Sequence, residues 1–181
     1  GENNDMILVS SIAKLAWDGD MAEEEYWELV KEYFTILYGE SGKYIFEYTM
    51  MLQKAGDLVD YWCAFHTRAL KKVDHHYIAT YFDYMVGLFD EALRLAETEK
   101  VESKIEVLKA RMLYICIAVT HEDRYINGSA EDRAIIAERY TEMHRLFKKY
   151  RIPVFDDYIN HADAPDELDL ERNPSEHWCI Y

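Results

Sequence analysis

From Ile78 to Leu95, apolar side chains recur in alternating steps of three and four: Ile78, Tyr81, Met85, Leu88, Ala92 and Leu95. The same spacing returns in Val101, Ile105, Leu108, Met112, Ile115 and Val119. A strand has a side-chain period of two, so a repeat near 3.6 can bury its apolar side only as a helix. Phe82, Val86, Phe89 and Leu93 add a second stripe to the first, and the run MLYICIAV in the second is apolar all round; that half should be central, and the stripes of the two helices should face each other. The expected fold is all-α, an antiparallel bundle of five to six helices with no significant sheet. Seven Gly and three Pro in 181 residues agree, because a sandwich or barrel needs denser turns. Half of the residues are apolar, enough for a core without disulfides.

Punctuation along the chain divides it further. Residues 1–16 read as an N-terminal helix or a linker from an upstream domain, 17–160 as the helical domain, and 161–181 as an acidic, partly disordered tail. Asp20 is expected to cap a helix, with Glu23 reaching back as in a capping box and Glu24 and Glu25 favouring the positive end of the dipole. Ala22, Tyr26, Leu29, Val30, Tyr33 and Leu37 form its stripe, and Trp27, Phe34 and Tyr38 extend it sideways. Gly39 supplies a stop, Ser41 a cap for a helix over 42–55 with Ile45, Tyr48, Leu52 and Ala55 inward, and Gly56 the next stop. Asp74 caps the helix over 76–97; after the helix over 101–120, Asn127-Gly128 turns the chain and Ser129 caps a last helix to Tyr150. Pro153 prevents its continuation.

A formal charge of −15 repels phosphate backbones and anionic lipid, which argues against nucleic-acid and membrane-surface partners. No basic start followed by an apolar core marks a targeting segment, and the compartment stays open. Three cysteines, far apart, form no metal or disulfide pattern; Cys116 reads as core and Cys63 as a loop thiol. Di-metal bundles place Glu-x-x-His on two helices, and no histidine here follows a glutamate by three, so no metal and no other cofactor is expected. His121 reads as a solvated helix end, His144 as surface, and Arg111 as the partner of a helix glutamate. With no nucleophile elbow or phosphate loop, no catalytic residue is assigned. Aromatics and histidines collect outside a helical period at Tyr61, Trp62 and His66, with His76 following; flat rings with polar tips suit sugar, although plugging the end of the bundle is the favoured role.

The order Leu15-Ala16-Trp17-Asp18, an acidic helix start, Leu37-Tyr38-Gly39-Glu40, then Tyr44, Tyr48 and Leu52, resembles a particular family. It is similar to the helical region that follows the barrel in a large bacterial family of unknown function, related to glycoside hydrolases of the alpha-glucuronidase kind. Leu88 to Ala92 and Ile105, Leu108, Arg111, Leu113 and Tyr114 resemble the helix pair that follows there. Gly19 stands where that family has Pro, and Leu37 where it has an aromatic. The resemblance implies a helical accessory domain without catalytic residues, with the acid and base on an upstream barrel of the same polypeptide. Its partners would be that barrel and, through the parent enzyme, carbohydrate. Trp17, Trp27, Phe34 and Tyr38 are then the residues expected to pack between domains, or, in the chain alone, to be covered by residues 5–16 or by a second copy in a homodimer. The alternative is a free-standing helical module that binds proteins through its aromatic faces.

Overall fold

The computed structural model describes Ser10, Ala13, Lys14, Ala16, Trp17, residues 19–58, 73–152, 154–156 and 159–162, and Glu171. Within these residues the chain is all-α. Its helices are α1 (Glu23–Tyr38), α2 (Gly42–Asp57), α3 (His75–Arg94), α4 (Glu99–Thr120) and α5 (Ala130–Tyr150). A 3-10 turn, Gly39–Ser41, joins α1 to α2, and a π-helical turn, His121–Ile126, follows α4. The extended residues described are β1 (Val154–Asp156) and β2 (Ile159–Ala162), paired antiparallel with Val154 opposite Ala162 and an irregularity before Asp156.

The chain divides into two compact units, one formed by residues up to Met50 with Leu88–Ile105, the other by Met51–Gly87 with Glu106 onward. In the first, Val30, Phe34 and Tyr38 are the buried side of α1. Phe34 meets Phe46 edge to face at 5.5 Å, and Tyr48 meets Phe89 at 4.8 Å. Ser41 is fully buried, and its hydroxyl donates to the carbonyl of Ala92 at 2.6 Å. A carbonyl in the last turn of a helix has no amide of that helix left to accept from, so this bond satisfies an orphan acceptor near the end of α3. Ser41 thus caps the end of α3 and not, as the sequence suggests, the start of α2.

The start of α1 also differs from expectation. Its N-cap is Ala22, with no side-chain bond to the free amides, and Asp20 is exposed. Glu23, Glu24 and Glu25 all lie in the first turn, where their charge acts on the dipole directly and makes a capping carboxylate less necessary. Gly39 does end α1, at a φ of +59° that disfavours any residue with a Cβ. Asp74 behaves as expected, accepting from the amide of Tyr77 at 2.6 Å.

In the second unit Met51 and Ala55 are the buried residues of α2, with Leu52 only half-buried. The run Met112–Ala118 is mostly buried, as its all-round apolar character requires. Tyr81, placed inward by its spacing, is 41% exposed, while Phe82 next to it has no exposure at all. A helix stripe can be drawn through either residue, and the smaller, fully apolar ring wins the interior. α5 carries a complete capping box: the Asp132 amide donates to Ser129 Oγ at 3.0 Å and the Ser129 amide to Asp132 Oδ2 at 3.2 Å.

Candidate functional site

The four aromatics expected between domains fall into different environments. Phe34 and Tyr38 face the chain's own interior, stacked with ring centroids 6.1 Å apart. Burial pushes the Tyr38 hydroxyl up to about 12, and Lys104 approaches its ring at 5.8 Å while donating to the Leu37 carbonyl at 3.4 Å. That ammonium sits where the negative end of α1 attracts it. Trp27 is half-buried against Tyr26, its indole N–H 3.4 Å from Glu23 Oε1. Trp17 is 89% exposed. Phe34 and Tyr38 therefore serve the core of the first unit, and Trp17 is the one of the four with most of its surface in water.

Of the residues considered for sugar recognition, Tyr61, Trp62 and His66 lie outside the described residues, as does the loop thiol Cys63. His76 is exposed on the first turn of α3. Beside it, Tyr77, Tyr81 and Tyr84 follow at helical spacing, Tyr77 and Tyr81 with ring centroids 4.6 Å apart and Tyr84 51% exposed. Lys54 Nζ stands 5.9 Å from the Tyr77 ring. In the sequence this tyrosine row is masked because Tyr81 fits the core stripe equally well; its signal is three phenols at steps of four and three.

Charged residues in the second unit are drawn into two networks. Glu106, 8% exposed, accepts from Lys149 Nζ at 2.5 Å and from the Tyr150 hydroxyl, with Arg145 at 3.7 Å. Burial opposes its ionisation, but the hydrogen bonds of Lys149 and Tyr150 and the charges of Lys149 and Arg145 prevail and hold its pKa below the usual range. The bond to Glu106, foremost, pushes Lys149 up. Lys109 pairs with Glu142 at 2.8 Å. The second network lies at the π-helical turn. Asp83 meets Arg139 at 2.7 Å and Arg124 at 3.5 Å, Arg124 also reaches Asp132 at 3.5 Å, and both guanidinium groups lie over the Phe82 ring, at 4.4 and 5.8 Å. Burial opposes the Asp83 charge too, yet Arg139 and then Arg124 keep its pKa low.

Three single residues depart from the sequence reading. His144 is 8% exposed, not surface, because it shares a helical face with Tyr140 and Phe147. His121 is 3% exposed and stacks on Tyr125 at 5.4 Å, because the chain continues as a π turn where a solvated helix end was expected. Arg111 has a buried Nε with no hydrogen-bond partner among the described residues, and nearby on the same helix it is Lys109 that pairs with a helix glutamate, Glu142. No group of three His, Cys, Asp or Glu side chains converges as a metal site among the described residues, and no described helix is long and apolar enough to cross a membrane. Comparisons with protein-family models, with curated proteins and with solved structures find no match to this chain.

Proposed function

We propose that the chain is a helical accessory domain of a larger carbohydrate-active polypeptide, packing on a neighbouring domain and carrying no catalytic residues of its own. The observation that carries the docking part is Trp17, a large apolar side chain 89% exposed within the Leu-Ala-Trp-Asp corner. Burying an indole against another surface gains about 25 cal/mol per Å² of apolar area removed from water. The carbohydrate part rests on the sequence resemblance alone, whose Tyr38-Gly39 stop fits a buried tyrosine followed by a glycine at positive φ. The reading includes five to six helices of alternating direction, the extra one from residues before Trp17. Contacts inside the second unit support the alternation: Glu106 reaches Lys149 while Lys109 reaches Glu142, and Asp83 reaches Arg124 while Met85 reaches Cys116.

The experiment compares this chain with the polypeptide encoded by its complete reading frame, each with Trp17 as its single tryptophan. Acrylamide is expected to quench Trp17 fluorescence strongly in the chain alone and weakly in the longer polypeptide. Equal quenching in both would remove the docking role, and a reading frame encoding nothing upstream would remove the accessory-domain reading altogether.

A second reading, a module that binds a protein partner, is favoured by Tyr81 and Tyr84, exposed by 41% and 51% on one helix. Tyrosines are enriched among residues that dominate binding energy at protein interfaces. Tyr81→Ala would weaken such a complex while leaving Trp17 docking unchanged, which separates the two readings.

A further inference from the structure

Cys116 Sγ lies 3.7 Å from Met112 Sδ, one turn earlier on α4, and 4.0 Å from Met85 Sδ on α3. All three side chains are buried in the second unit, none more than 1% exposed. We propose that this thiol and these two thioethers form a binding site for a soft monovalent metal ion, copper(I) in the first instance. Thiolate and thioether sulfur are the donors that select copper(I), whereas hard divalent ions prefer oxygen. The spacing suits it. Metal–sulfur bonds of about 2.3 Å in a trigonal plane put the sulfurs about 4.0 Å apart, which both distances from Cys116 Sγ approach, and the flexible methionine side chains can adjust around the ion.

Charge decides which ion the site takes. The two thioethers carry no charge, and neither does a thiol with its proton in place. A monovalent ion that replaces the thiol proton, forming a metal–sulfur bond and releasing one proton to water, leaves the site neutral. A divalent ion would leave a net positive charge in an apolar interior, at a large desolvation cost. The methionines then supply two neutral donors.

The test uses the whole chain with Cys63→Ser and Cys179→Ser, so that Cys116 is its single thiol. Copper(I) is delivered anaerobically against a chromogenic copper(I) chelator, and silver(I) serves as a redox-inert probe. The expected result is uptake of one ion per chain, release of one proton, and a thiolate-to-copper absorption band in the ultraviolet. Met85→Leu and Met112→Leu, close in volume and checked for retained helicity, are each expected to lose the ion. Absence of uptake would overturn the proposal. So would uptake undiminished in both methionine variants, since a thiol acting alone would then account for it.

Discussion

Ser41 ties the 3-10 turn before α2 to the end of α3 with one hydroxyl. Ser41→Ala would leave the Ala92 carbonyl buried without its donor, and the expected loss is about 1–3 kcal/mol in urea unfolding. A serine beside a helix start reads naturally as that helix's cap; its actual acceptor lies 51 positions away, a pairing no local pattern contains. The same holds for Glu106. Its surroundings in sequence, Lys104 to Lys109, give no hint that Lys149 and Tyr150 will enclose it. Since its folded pKa is depressed, its contribution to stability is present above the ordinary glutamate value of about 4.3 and is lost as pH falls through the lower folded value. Glu106→Gln should therefore destabilise at neutral pH by about 1–3 kcal/mol and flatten the acid limb of the stability curve, measured by thermal melts from neutral pH downward. Phe34 and Tyr38 show the converse limit. Their type marks them as buried, but whether against this chain or another domain is decided by what lies opposite.

Helices and their stops were the legible elements. α3, α4 and α5 lie close to where apolar spacing puts them, and the Ser129 cap and the Gly39 stop hold, because these signals are local. The π-helical turn was not legible. Its widened bond, from the Asn127 amide to the Glu122 carbonyl at 3.0 Å, needs five residues where an α-helix needs four, and no residue type announces that. Gly128 packs closely on this turn: a Cβ there would come within 2.2 Å of the Arg124 carbonyl oxygen. Gly128→Ala should force that turn apart, costing about 1–3 kcal/mol as overpacking does and raising amide exchange from His121 to Ile126. Ser129→Ala, which removes one half of the capping box, should cost about 1 kcal/mol and raise exchange in the first turn of α5 alone. The two exchange patterns distinguish a strained turn from a lost cap.

At the scale of the whole molecule, charge opposes contact between copies. Copies at −15 repel one another, so contact through an exposed residue such as Trp17 is expected to strengthen as salt screens the repulsion. Sedimentation at low and high salt should show self-association rising with ionic strength, and Trp17→Glu should abolish the rise. The discontinuous first unit bears on the order in which the protein is made. Tyr48 packs on Phe89 and Ser41 on Ala92, and the unit is complete only at Ile105. On a ribosome, α1 and the start of α2 leave the exit tunnel well before the segment that covers them has been translated, and for that interval their aromatic side is open to chaperones. A codon-driven pause just after Gly87 would lengthen the interval, whereas one reached only once Ile105 has left the tunnel would not. Nascent chains stalled at the first position should accordingly be captured by a holdase chaperone far more readily than chains stalled after the second has cleared the tunnel.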